Sequence, residues 1–284
     1  MNIEYVDKNI VLKDAKHFDI PLCLDCGQAF RWKETENGHW EGIVCGKFLS
    51  VKQEENKTTF FNTTKEDFNN LWIKYFDLER DYEKILSSYD EENLITACKA
   101  YPGIRILKQD EWEAICSFII SANNNIPRIK GIIERLCENF GEKIDGGYTF
   151  PTPEKLAGLE VEDLAVIRSG FRAKYIIDAA RKISSGEVDL EKVRTMNFDD
   201  AKNELLKIKG VGEKVAQCSL LYGFGRIEAF PVDVWVKRIV AELYPNGLPE
   251  CIKGTEGIAQ QNLFHWRRNL KKLPVASRQM PEKD

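Results

Sequence analysis

The sequence predicts an α+β fold: an antiparallel β-sheet in the first third of the chain, followed by a region built from helices. Three observations carry this. Short segments rich in apolar, β-branched and aromatic residues, divided by turn formers, run to about residue 62. From Thr64 the apolar period changes to 3.6 residues and keeps it almost to the end. Strands first and helices later is the α+β arrangement, whereas a parallel α/β sheet requires the two to alternate.

The strands are expected at 23 to 32, 39 to 52 and 58 to 62. Glu36, Asn37 and Gly38 supply one turn, and the polar run 53 to 57 supplies another. Thr64 then stands as an N-cap for a helix through Leu78. Further helices are expected near 81 to 99, 110 to 122, 127 to 140, 160 to 168, 172 to 185, 197 to 208, 213 to 223, 233 to 244 and 255 to 271. The domains that follow are 1–99, a sheet with short helices, and 100–271, helical. The polar tail 272–284, with Pro274 and Pro281, is expected to be disordered.

With 284 residues, 43% hydrophobic and 11% aromatic, the chain has material for a full-sized core. It lacks a run of about 18 apolar residues, and residues 1 to 13 mix charged with apolar positions, so neither a membrane nor secretion is expected. The eight cysteines are scattered, mostly in apolar segments, as buried reduced thiols would be in a reducing cytoplasm. Cys23 and Cys26 form the one close pair. In a strand, positions three apart point to opposite faces, which disfavours a shared metal. No cofactor and no metal are expected. The net charge is −4, yet residues 1 to 100 hold 13 basic and 19 acidic side chains against 28 and 26 in the remainder, so nucleic acid would bind the later part.

The most informative segment is 205 to 225, LLKIKGVGEKVAQCSLLYGFG. It reads as the end of one helix, a tight turn at Gly210, Val211 and Gly212, and a second helix. Glycines permit positive φ and close approach, so the turn's amides and the second helix's N-terminus can converge on an anion such as phosphate. A Gly-rich link between two packed helices explains the segment equally well. Downstream, AFPVDVWVKRIV at 229 to 240 places Asp233 as the N-cap of another helix, and capping alone explains an aspartate there. Lys214 lies in the first turn of its helix, where its charge opposes the macrodipole. A nucleophilic lysine must shed its proton, and both a helix N-terminus and partial desolvation favour that loss.

Together the hairpin, Lys214 and Pro231-Val232-Asp233 resemble the helix-hairpin-helix-GPD superfamily of DNA glycosylases, whose bifunctional members carry the lysine. The resemblance implies attack by Lys214 at C1′ of a nucleoside, a Schiff base and β-elimination, with Asp233 assisting. Residues 102 to 129, with Asn123, Asn124, Asn125 and Arg128, and IRSGFRAKY at 167 to 175 resemble the 8-oxoguanine branch, as does CLDCGQAFRW at 23 to 32. That branch implies a TBP-like N-terminal sheet and excision of 8-oxoguanine opposite cytosine from double-stranded DNA by a monomer. It would act in the cytoplasm on the nucleoid of a bacterium, or in a eukaryotic nucleus.

The branch further implies that the Gly27 carbonyl accepts from the purine N7–H, a donor that guanine lacks. Cys218 and Phe264 would sandwich the flipped base and Gln260 would bond its Watson–Crick edge. Phe171, where the branch usually has tyrosine, would be the wedge, with Asn123, Arg128 and Arg172 on the estranged cytosine. Trp235 departs from the histidine common in eukaryotic relatives. Taken singly, Cys218 and Phe264 also read as core, and Gln260 as a solvated helix residue. A glycosylase for another lesion and a catalytically inert DNA-binding module are the competing readings. A cysteine cluster of the iron–sulfur kind is missing near residue 284, which disfavours those relatives.

Overall fold

Apolar residues recurring on one face of successive strands build a six-stranded antiparallel sheet, described here from a computed structural model that covers residues 2–270. Its strands are β1 (Asn2–Val6), β2 (Asn9–Lys13), β3 (Trp32–Glu34), β4 (Trp40–Val44), β5 (Lys47–Glu54) and β6 (Lys57–Phe61), in the order β1-β2-β6-β5-β4-β3. Directly opposed residues Ile10, Phe60, Val51 and Trp40 form a buried row across four strands and fix the register. Gly42 opposes Trp32, and a Cβ at that glycine would lie 2.6 Å from the indole, so the missing side chain makes the room the ring occupies.

Three expectations for this region are corrected. The hairpin β1–β2 was not expected, although residues 2 to 13 already mix charged with apolar positions. The stretch 39 to 52 is two strands, folded back at Cys45 and Gly46, both at positive φ as a two-residue hairpin turn requires. Residues 23 to 32 are a strand only at the last position. Asp19 caps and Pro21 starts a short helix, α1 (Ile20–Leu24), and an irregular loop follows. The buried Gln28 side chain holds that loop by bonding the carbonyls of Cys23 and Arg105 and the Leu107 amide, replacing a strand ladder. The face argument about Cys23 and Cys26 therefore does not apply. Cys23 Sγ donates to Gly103 O and Cys26 Sγ to Cys23 O.

After the sheet come α2 (Lys65–Asp67), a π-helical turn Phe68–Trp72, α3 (Ile73–Tyr75), α4 (Tyr82–Ser87) and α5 (Glu92–Ala100). Thr64 caps α2 as expected. The helices that follow are α6 (Glu111–Ser121), α7 (Ile126–Phe140), α8 (Pro153–Ala157), α9 (Ala173–Ser184), α10 (Leu190–Thr195), α11 (Phe198–Leu206), α12 (Glu213–Tyr222), α13 (Val234–Leu243) and α14 (Glu256–Asn269). A two-stranded ribbon, β7 (Lys143–Ile144) and β8 (Gly147–Tyr148), follows α7. The helix expected at 81 to 99 is two, and that at 160 to 168 is a 3₁₀ segment, Glu162–Ile167; α8 and α10 escaped the periodicity because each is too short to show one.

Three apolar clusters hold the fold. One lies on the sheet, one among α6, α7, α9, α11 and α12, and a smaller one joins α5 to α13 and α14. The expected division after residue 99 does not separate them: Phe30 and Tyr82 belong to the helical core, and α5 packs on α14 at the other end of the chain. The tail 272–284 lies outside the described residues.

Candidate active site

α12 begins without a side-chain cap. Gly212 stands at its N-cap, and the amides of Gly212, Glu213, Lys214 and Val215 find no acceptor among the described residues. The neighbouring long helices differ, since the side chains of Asp110, Asn125 and Asp233 cap α6, α7 and α13 by accepting from the Glu113, Arg128 and Val236 amides. Unpaired amides at the positive end of a helix form an anion site. A Cβ at Gly212 would meet nothing within 4 Å, so that side is open. Gly212 is nonetheless extended (φ −98°, ψ −177°), so it does not use the positive φ that glycine permits. Gly210 alone does (φ +84°), and a Cβ there would stand 2.4 Å from the Tyr175 ring. The Val211 side chain is core and its amide donates to Ile208, so it adds no free amide to this turn.

Lys214 projects from this first turn and is half-buried. Its ammonium lies 3.2 Å from Ser121 Oγ and over the Phe118 ring, 5.3 Å from the centroid. It makes no ion pair among the described residues, whereas Lys202, Lys209 and Arg226 do. One helical turn on, Cys218 is buried and within hydrogen-bonding reach of Lys214. Burial pushes its thiol above the ordinary range, against the pull of the Lys214 charge, and the Asp233 carboxylate adds to the rise. Lys214, Cys218 and Asp233 thus share one electrostatic neighbourhood. One Asp233 oxygen caps α13 through the Val236 amide. Val232, Val234 and Trp235 beside it are exposed, and Arg238 lies over the Trp235 ring. That is an apolar lip around a carboxylate, unlike an ordinary solvated surface.

α14 supplies the opposite wall. Gln260 is 5% exposed, and its Oε1 is buried without a hydrogen-bond partner among the described residues, which overturns the solvated reading and leaves an acceptor to be satisfied by something else. Phe264, one turn on, is half-exposed under Arg268 and is no core residue. Gln261 next to Gln260 reaches the Cys26 carbonyl, which draws the loop carrying Gly27 onto this wall. Gly27 has φ +90°, and its carbonyl takes no hydrogen bond among the described residues.

At the end of α6, Asn123 is exposed with φ +50°. Asn124 is turned inward, its amide group bonding the Ile120 carbonyl, and Asn125 caps α7, so the asparagine run is first a turn between two helices. Phe171 protrudes, 55% exposed, from a 3₁₀ turn. Arg128 is exposed and has no ion pair among the described residues. Arg172 is different: it is 2% exposed and donates to the carbonyls of Ala122, Asn123 and Ser169 while lying over the Phe171 ring. These bonds make Arg172 a clamp that ties the wedge turn to the asparagine turn.

The sequence reading missed Ser121, Phe118, Tyr222 and Gln261, which hold Lys214 and the Gly27 loop. Nothing local marks them, because each acts on a residue far away in the chain.

Residues 10–115 match the N-terminal domain of 8-oxoguanine DNA glycosylase, and residues 116–250 match the HhH-GPD superfamily of base excision DNA repair proteins. A probable N-glycosylase/DNA lyase of Methanothermobacter thermautotrophicus is 37% identical, the alignment covering 80% of this chain and 83% of that one. The chain belongs to the 8-oxoguanine DNA glycosylase family. The N-glycosylase/DNA lyase of Saccharomyces cerevisiae is 34% identical over 78% of this glycosylase and 67% of the yeast protein. The Clostridium acetobutylicum 8-oxoguanine glycosylase/lyase, in complex with double-stranded DNA containing cytosine opposite 8-oxoguanine, superposes with a TM-score of 0.89 at 37% identity, covering 95% of this chain and 99% of that one. The glycosylase is therefore a base excision repair enzyme with N-glycosylase and DNA lyase chemistry. Among its described residues no helix is long and apolar enough to cross a membrane, and no three metal-ligating side chains cluster.

Proposed function

We propose that this glycosylase flips 8-oxoguanine opposite cytosine out of duplex DNA and removes it with Lys214 as nucleophile. One observation carries the assignment of the nucleophile: a lysine amine free of any carboxylate pair among the described residues, set at an uncapped helix start beside Cys218 and Asp233. The Lys214 Nζ–C1′ bond forms as C1′–N9 breaks, the electron pair leaving with the base, which takes up a proton. Asp233 accepts a proton in this step and offsets positive charge developing on the sugar. The resulting aminal opens to a Schiff base, whose acidic C2′ proton is lost as the 3′ phosphate departs.

The remaining residues serve recognition. The open amides from Gly212 to Val215, with that of Gly210, take a backbone phosphate. Gly27 O accepts the N7–H of 8-oxoguanine, Gln260 bonds the Watson–Crick edge, and Cys218 and Phe264 stack on the base. Phe171 enters the vacated space, and Arg128 and Asn123 read the cytosine. The enzyme works where the chromosome is, in the cytoplasm of a bacterium or the nucleus of a eukaryote.

Lys214→Gln tests the centre of this reading. Glutamine keeps the reach but is no nucleophile. Base release and borohydride-trapped adducts are expected to vanish from an 8-oxoguanine:cytosine duplex, while the affinity for that duplex stays within about threefold, since a single amine is one among many contacts. Cleavage at the wild-type rate would remove Lys214 from the mechanism.

A further inference from the structure

A buried polar strut joins the helix that carries Lys214 to the loop that carries Gly27. The Tyr222 hydroxyl, at the last turn of α12, donates to Gln261 Oε1 at 2.6 Å, and Gln261 Nε2 donates to the Cys26 carbonyl at 3.1 Å. Tyr222 and Gln261 are 5% and 2% exposed, so both bonds are shielded from water. The Tyr222 ring stacks on Phe118, 5.2 Å between centroids, and Phe118 is the ring under the Lys214 ammonium. On the other side of Gly27, the Gln109 side chain donates to the Gln28 carbonyl at 2.6 Å. The carbonyls before and after Gly27 are both fixed, and the one between them is unbonded among the described residues.

We infer that Gln261 and Tyr222 are positioning residues for base recognition: they set the height of the Gly27 carbonyl relative to the nucleophile, so that only a base with a donor at N7 is seated for attack. This rests on the reading of Gly27 as the acceptor for that donor. A carbonyl discriminates through hydrogen-bond geometry, and such bonds weaken steeply as distance and angle depart from the optimum. A glycine at positive φ between two loop residues is the most easily displaced part of this wall. The strut supplies the rigidity that the loop's own conformation lacks. Burial pushes the Tyr222 phenol up, so it remains a donor across the working pH range.

β-Elimination at a preformed abasic site needs Lys214 but no base, and separates positioning from folding. Single-turnover base excision from 8-oxoguanine:cytosine and from guanine:cytosine duplexes, and strand scission at abasic:cytosine, are to be measured for wild type, Gln261→Leu, Tyr222→Phe and the double variant. Each single variant is expected to lose about tenfold or more in 8-oxoguanine excision. Abasic-site scission should stay within about twofold, and the double variant should lose little beyond the worse single, as members of one chain of bonds do. Unchanged excision in Gln261→Leu would overturn the strut, as would an equal loss of excision and scission, which would make it a support for the fold alone. Wild type showing no preference for 8-oxoguanine over guanine would instead remove the Gly27 reading, and the strut's role with it.

Discussion

Arg128 and Arg172 are the same residue type in the same neighbourhood, close enough that Arg128, after burial, pushes the Arg172 pKa down. Their surroundings give them different tasks. Cytosine without its partner presents O2 and N3 acceptors, which arginine donors bind and adenine does not reproduce. Only Arg128 has its guanidinium exposed and unpaired among the described residues; that of Arg172 already serves three carbonyls. Arg128→Ala is expected to reduce the preference for 8-oxoguanine opposite cytosine over adenine by about tenfold, at about 1–3 kcal/mol per good base contact, with unfolding unchanged. Arg172→Ala should lower stability by about 2–3 kcal/mol and slow excision opposite every base alike. Single-turnover rates opposite the four bases, with urea unfolding of each variant, decide between these roles; a selectivity loss confined to Arg172→Ala would reverse them.

The hairpin between α11 and α12 shows the same separation at the level of an element. Gly210 faces inward: the Tyr175 ring packs on it, and beside it Asp178 of α9 accepts the Lys209 amide at 2.8 Å. Gly212 faces open space at the head of α12. Gly210→Ala therefore combines a strained positive φ with overpacking, and is expected to lower stability by about 2–4 kcal/mol. Gly212→Val should change stability by less than about 1 kcal/mol, since its φ suits any residue. It should weaken binding to damaged and undamaged duplexes alike, because the side chain stands where a phosphate approaches the amides. Affinities at fixed salt, alongside thermal unfolding, check both; a loss specific to lesion DNA would contradict a phosphate site at this turn.

Across the whole molecule, the sheet and the helices are held together by buried polar groups as well as by apolar packing. Arg105 is 6% exposed, donates to the carbonyls of Lys16, His17, Asp77 and Arg80, and lies over the Tyr82 ring. No carboxylate pairs with it among the described residues, and burial lowers its pKa. Arg105→Met would strand those carbonyls, and a loss of about 3–5 kcal/mol is expected. Amide exchange should then accelerate in β5 and β6 and in α6 and α12 together, as one cooperative unit. Acceleration restricted to the sheet would show that the two parts unfold independently.

Sequence alone determined whatever depends on neighbours along the chain. Period, capping residues and turn glycines placed the long helices α6, α7, α9 and α11 to α14 and the strand β6, because these signals act within about two turns or one hairpin. The spacing of Lys214, Cys218 and Asp233 was legible for the same reason: two share a helix face, and the third caps the next helix. Tertiary structure decided what depends on distant partners. It turned the segment after Asp19 into a helix and a loop, since Gln28 found its bonds some eighty residues away at Arg105 and Leu107. It buried Arg172 and left Arg128 free, and buried Gln260 with an unmet acceptor. It brought Gln261 to Cys26, from opposite ends of the chain. A hydrogen bond depends on where two groups lie in space, and sequence fixes that only for residues close enough to share an element; for all others the packed core sets the distance.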